Sequence, residues 1–364
     1  MHIQRDPRAY IGHILSLWTV CACLSAGAVS AAGDGGKVSP LFQSHEPLNL
    51  RISAPFSQFI RGRGSERPYV PAMLTFTDEN GAERQLELKI RVRGKSRANP
   101  ETCAFPPLML NFSRKKLDGT PFADENKLKL VTHCQNKSAY ENYVRLEYLN
   151  YRVFQLFTDH SVRVRLAQIN YRDSENDKDL GVHTAFFLED SGRMARRLGM
   201  KQIRETRLAP QIYDPASLNL VEVFAYFLGN VDWSAVRGPE GEDCCHNIIP
   251  LRDASGKTFP VPYDFDSTGV VDAPYAPVPK SLSIDSVRQR LYRGFCHGDG
   301  ILQGTLQLFE EKRGAITDLY QSQADLSPRS ASSALNYYGI FYKTIGTPGS
   351  LEREIVNKCR DMSG

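Results

Sequence analysis

The stretch LGNVDWS, residues 228–234, is followed eleven residues later by HNIIPLRDASGKTFPVPYDFD, residues 246–266, and these two pieces together decide the fold. The second reads strand, turn, strand, with DASG at 253–256 as the turn. It ends on two carboxylates, Asp264 and Asp266, where a buried strand normally carries none. The first piece closes a buried helix: Leu218, Val221, Phe224, Ala225 and Leu228 share one face, and Gly229 and Asn230 supply the C-cap. Asp232 follows directly. A hairpin brings the start of its first strand beside the end of its second, so Asn247 and Asp264 are expected close enough to share a cation. Between Asp232 and Asn247 lie the fourteen residues WSAVRGPEGEDCCH, whose Gly-Pro-Glu-Gly marks an excursion that leaves and returns.

Working toward the N-terminus, LNLRIS, VPAMLTFTDENGAERQLELKIRVRG, PPLMLNF and NKLKLV alternate apolar and polar residues, with ENG at 79–81 as a hairpin turn. That pattern predicts an antiparallel sheet. From Ser138 to about Phe157, Leu146, Leu149, Val153 and Leu156 recur at helical spacing, with Ser138 as N-cap and Glu141 completing a capping box. The strands VRVRLAQINYR and VHTAFFLE come next, and a lobe boundary is expected near 189–200. Beyond the hairpin, helices are predicted at about 283–295, 301–320 and 350–360.

The expected fold class is therefore α+β: a two-lobed protein kinase-like fold, with an antiparallel sheet and one long helix in the N-terminal lobe and a mostly helical C-terminal lobe. The expected divisions are a signal peptide at 1–31, a linker at 32–44, a sheet-rich lobe at 45–195 and a helical lobe with the metal-binding hairpin at 196–364. Phosphoryl transfer needs a carboxylate for the acceptor, an Asn and an Asp for the metal, and a cation for the phosphates. Asp232, Asn247 and Asp264 occur in that order. Lys127 and Lys129 share one side of their strand, and Glu141 and Glu147 on the following helix offer ion-pair partners, Lys129 with Glu147 being favoured. Arg93 and Lys95 beside Gly94 are the competing phosphate ligands.

These motifs resemble the spore-coat CotH-like kinases, a family of secreted proteins with an atypical kinase fold. The resemblance runs from roughly Arg91 to Val271 and is carried by RVRGKS, by KLKLV leading into a long helix, by GVHTAFFLED, and above all by the two pieces quoted first. It implies an ATP-dependent kinase using Mg²⁺ or Mn²⁺, with Asp232 catalytic, Asn247 and Asp264 as metal ligands, Asp266 as an additional ligand, and Glu189 at the nucleotide hinge. It also implies that the acceptor is a hydroxyl of an exported protein. The competing reading is a non-catalytic, pseudokinase-like envelope module.

Arg5 and Arg8 precede an apolar stretch from Ile11 to Val29, and AVSAAG then offers cleavage near Ala31 or Ala32, which reads as a secretory signal peptide with no membrane span after its removal. Secretion or residence in the periplasm or cell envelope follows. Without residues 1–31 the chain holds 43 Lys and Arg against 40 Asp and Glu, a net charge of +3, too small to imply a nucleic-acid partner. Six cysteines then remain, and export makes disulfides the expected state. Cys103 is expected to pair with Cys134, and the other four within the C-terminal half. Blander roles are assigned elsewhere: His246 as an orienting residue, Trp233 as packing, HGDG at 297–300 as a loop, and RQRLYRG at 288–294 as a solvated helix face. Asp264 and Asp266 have their own bland alternative, a structural turn or a calcium site.

Overall fold

In the computed structural model the described residues are 36–64, 66–113 and 117–362. The signal-peptide reading lies outside them. Alternating burial builds the first half. Strand β1 (Leu48–Ala54) leads into a short helix, α1 (Phe56–Arg61). Strands β2 (Val70–Thr77) and β3 (Glu83–Val92) flank the Asn80–Gly81 turn, where Gly81 has φ of 79° and Asp78 Oδ1 accepts from the amides of Asn80 and Ala82. Strands β4 (Leu108–Phe112) and β5 (Lys127–Val131) precede the long helix α2 (Ser138–Phe157), and β6 (Val164–Asp173) and β7 (Lys178–Leu188) come after it.

The sheet is not the open antiparallel layer expected from the sequence. Its order is β1-β2-β3-β4-β5-β7-β6, and it closes into a mixed seven-stranded barrel because β1 runs parallel to β6, from Leu48 opposite Ala167 to Ala54 opposite Asp173. Inward residues such as Ile52, Leu74, Ile90, Leu110, Leu128, Ile169 and Phe187 fill the barrel. The outward residues of β5, β6 and β7, among them Val131, Leu166 and Phe186, join a second apolar core. That core includes α2 and the C-terminal helices, so the two-lobed kinase-like architecture is corrected: the long helix shares its core with the helical half.

The helical half opens with α3 (Ser191–Arg197), capped by Asp190, and the two-residue strand β8 (Lys201–Gln202). Helix α4 (Pro215–Leu228) starts at Asp214, whose carboxylate accepts from the Ser217 amide, and ends at Gly229 with φ of 66°. Strands β9 (Ile248–Arg252) and β10 (Thr258–Pro262) form the expected hairpin, with β8 on the free edge of β9. Helices α5 (Asp299–Gln321), α6 (Pro328–Ile345) and α7 (Pro348–Glu354) complete the fold, α5 packing on both α2 and α4.

Three local expectations are overturned. The capping box does not form: Lys137 is the N-cap of α2, and Glu141 instead accepts from the Thr184 amide (2.6 Å) and contacts His183 Nδ1 (2.9 Å). No helix occupies 283–295, because arginines there are drawn to other carbonyls. Arg290 donates to the carbonyls of Tyr226, Phe227 and Tyr337 and stacks on the Tyr337 ring at 3.6 Å, so RQRLYRG is no solvated helix face. Helix α6 was not anticipated. HGDG leads straight into α5, with His297 buried against Glu222 at 2.8 Å.

Among the described residues three cysteine pairs stand at disulfide distance: Cys103–Cys134, Cys244–Cys245 and Cys296–Cys359. The first is the expected pair and the other two lie within the C-terminal half. Such pairing fits an oxidising, extracellular environment. None of the described helices is long and apolar enough to cross a membrane.

Candidate functional site

Helix α4 ends on the left-handed Gly229, and its last carbonyls bind the chain beyond the hairpin: Gly269 N donates to Gly229 O and Val270 N to Leu228 O, each at 3.1 Å. Buried Asn230 then accepts from the Asp232 amide at 2.9 Å, a local turn that fixes the aspartate. Both Asp232 oxygens are engaged. Oδ1 lies 2.6 Å from His246 Nε2, and Oδ2 accepts from Asn247 Nδ2 at 3.2 Å, which also donates to the Asp232 carbonyl at 2.7 Å. The hydrogen bond to Asp232 holds the His246 pKa above its ordinary value, against burial.

The fourteen-residue excursion returns through a backbone pair between Ser234 and His246, with bonds of 2.9 and 3.1 Å. Asn247 therefore starts the hairpin beside Asp232. At the other end Tyr263 N donates to Asn247 O at 3.0 Å, which puts Asp264 next to the same cluster. Asn247 and Asp264 have φ of 55° and 63°, a conformation uncommon for residues with a side chain and concentrated at sites of function. Tyr151 of α2 steadies the turn by accepting from the Asp264 amide at 2.8 Å.

One residue that sequence reasoning passed over organises the carboxylates. Arg97, buried in the loop after β3, lies 3.2 Å from Glu147 Oε2, 3.1 Å from Asp266 Oδ2 and 3.6 Å from Asp264 Oδ1. Burial pushes the Glu147 carboxyl up to about 8 although Arg97 pulls it down, and burial likewise raises Asp266. One guanidinium thus faces three carboxylates. The missed signal is a charge count: with Lys129 expected to balance Glu147 and a metal expected to balance Asp264 and Asp266, the sequence reading asks for no further cation beside these carboxylates.

The favoured Lys129–Glu147 pair does not form. Glu147 gives Oε2 to Arg97, and its Oε1 is buried without a hydrogen-bond partner among the described residues. Lys129 instead sits 5.8 Å from the centre of the Tyr263 ring, its pKa lowered by burial and by Arg93. Lys129, Arg93, Leu188, Ile249, Tyr263 and Asp264 line one cleft of about 20 Å³, the space of a single water. Glu189 lines it too, but its carboxylate is taken by Arg197 at 2.8 and 2.9 Å. Lys127 is exposed and stands apart from the cleft lining, and Lys95 is at the surface against Glu242.

Oxygen donors at this site suit a hard cation. With its Nδ2 turned to Asp232, the Asn247 amide leaves Oδ1 as the acceptor end, and the Asp264 side chain is 44% exposed. Asp266 is occupied by Arg97 and by Ser267 Oγ, so Asp264 is the better placed of the two. Among the described residues no three His, Cys, Asp or Glu side chains gather into a metal cage, which leaves a cation relying on one carboxylate, one amide oxygen and its other ligand's oxygens. No family model matches this chain, and no curated protein matches it.

Proposed function

We propose that the chain is an exported, ATP- and metal-dependent kinase that transfers a phosphoryl group to a hydroxyl of an exported protein, as its resemblance to the CotH-like kinases implies. One observation carries the reading: Asp232, Asn247 and Asp264, brought from three separate segments, meet beside a cleft that also presents Lys129 and Arg93. Asn247 Oδ1 and Asp264 would hold Mg²⁺ or Mn²⁺, which when bound neutralises charge on phosphate oxygens. Lys129 and Arg93 supply fixed positive charge for the phosphates.

Asp232 receives the acceptor hydroxyl and His246 keeps its carboxylate in place. The acceptor oxygen bonds to the γ-phosphorus as the bond to the bridging oxygen breaks; ADP leaves with that oxygen, and the hydroxyl proton passes to Asp232. Glu147 and Asp266 act through Arg97, which holds Asp264 from behind.

The test is label transfer from ATP with Mg²⁺ or Mn²⁺, to the protein itself and to a general acceptor. Asp232→Ala is expected to lower transfer about 10²–10⁴-fold, and Asp264→Ala to weaken metal-dependent nucleotide binding. Absence of both transfer and metal-dependent binding by the parent protein would sink the reading. The narrowness of the cleft favours the second reading, a non-catalytic envelope module, since a purine must first displace side chains such as Tyr263. Nucleotide binding without transfer would select it.

A further inference from the structure

A separate and larger cavity, about 350 Å³, is lined by Asp232, Trp233, Arg237, His246, Leu282 and Arg293. Its charge is unusual for a space beside a carboxylate. Arg293 spends its guanidinium on the carbonyls of Val231 and Trp233, the second at 3.1 Å, and so stands fixed beside the aspartate. Arg237 is exposed on the excursion loop. Among the described residues neither forms an ion pair with a carboxylate. Arg360, stacked over Phe295 at 4.3 Å, is close enough to repel both, with Glu222 offsetting Arg360 and Asp232 offsetting Arg293. The loop's carboxylates Glu240, Glu242 and Asp243 are not among the lining residues, and Glu242 is tied to Lys95. Trp233, 4% exposed, carries an indole N–H that finds no hydrogen-bond partner among the described residues.

Two guanidiniums, Arg237 and Arg293, therefore face this cavity against the single lining carboxylate of Asp232, an excess of positive charge that an anion offsets. We propose that this cavity seats the acceptor and that Arg237 and Arg293 select acceptors carrying an anionic group, a carboxylate or a phosphate, close to the hydroxyl. The identity of the hydroxyl rests on the kinase reading; the anion site does not.

Four peptides test this, each with one serine and differing only in its neighbours: aspartate, phosphoserine, alanine or lysine. With the full chain, kcat/KM for the aspartate or phosphoserine peptide is expected to exceed that for the alanine peptide by about tenfold, the effect of one charge-assisted contact. Arg237→Gln is expected to shrink the preference to about twofold. Whichever of the two anionic peptides is preferred identifies the anion. Arg293→Lys, checked by thermal unfolding because Arg293 also braces backbone, should weaken the preference in the same direction. Equal use of all four, or preference for the lysine peptide, overturns the anion site and leaves the kinase reading standing. If no peptide is phosphorylated, anisotropy of the labelled peptides decides: tighter binding of the anionic ones, lost in Arg237→Gln, upholds the anion site without the kinase reading, and charge-blind binding or none overturns it.

Discussion

Arg97 is the residue on which the site's charge balance turns. Replacing it by alanine leaves Glu147 and Asp266 buried without their cation, a change that typically costs about 3–5 kcal/mol. Urea unfolding of Arg97→Ala should show that loss at neutral pH and above, where the carboxylates are least able to escape by taking up protons. Glu147→Gln should cost far less, because burial already pushes that carboxyl up to about 8. Equal losses for the two variants would show that Arg97 acts by packing alone. At this scale the sequence made Asp232, Asn247 and Asp264 legible, since their order and their attachment to a helix end and a hairpin are local facts. Arg97 was not legible. Its partners lie 50 and 169 residues away along the chain, and only a tally of buried charges would have asked for it.

Among the elements, the end of α4 matters most to the site. Gly229 sits at φ of 66°, and a Cβ there would meet Tyr337 Oη at 2.0 Å and Gly269 Cα at 3.3 Å. Tyr337 has little room to yield, being stacked by Arg290 and bonded to the Arg288 carbonyl at 3.1 Å. Gly229→Ala should therefore cost roughly 2–5 kcal/mol, from left-handed strain and overpacking together. It should also displace Asn230 and Asp232, so that any transfer activity falls further than stability alone explains. Tyr337→Phe in the same chain removes the closest atom and should recover part of the loss; no recovery would assign the cost to backbone strain. The strands, α4 and the β9–β10 hairpin were readable because period and turn chemistry are written locally. The region 283–295 was misread because its apolar spacing mimics a helix while Arg290 and Arg293 serve carbonyls of other segments.

For the whole molecule, closure of the barrel is the feature least visible in the sequence: β1 and β6 pair in parallel across more than a hundred residues, and the alternation within each strand is the same in an open sheet. The junction of that barrel with α2 makes stability depend on pH. His133, 3% exposed, stacks on His183 at 3.7 Å and on Phe105 at 4.7 Å, and its Nδ1 has no hydrogen-bond partner among the described residues. Burial, reinforced by His183, drives its pKa down to about 3. Burial alone would lower His183 too, but its bond to Glu141 holds it up; Glu141 in turn is held below its usual range, despite burial, by His183 and Thr184. A histidine kept neutral contributes its stability in full above the unfolded value near 6.5, and loses it as pH falls toward 3. His183, raised, contributes below that value and loses its share as pH rises through its folded pKa. Glu141, lowered, contributes above the usual carboxyl range and loses its share as pH falls through its folded pKa. The gain from His183 is complete by about pH 6.5, so His133 loses unopposed between about pH 6.5 and 4.5, and below that Glu141 and His133 lose together. Denaturant midpoints should fall steadily across the first window and more steeply below it, with His133 alone contributing up to about 4 kcal/mol by pH 3. His133→Phe keeps the stack and removes the titrating ring, so it should flatten the acid limb; an unchanged limb would place the acid sensitivity elsewhere in the molecule.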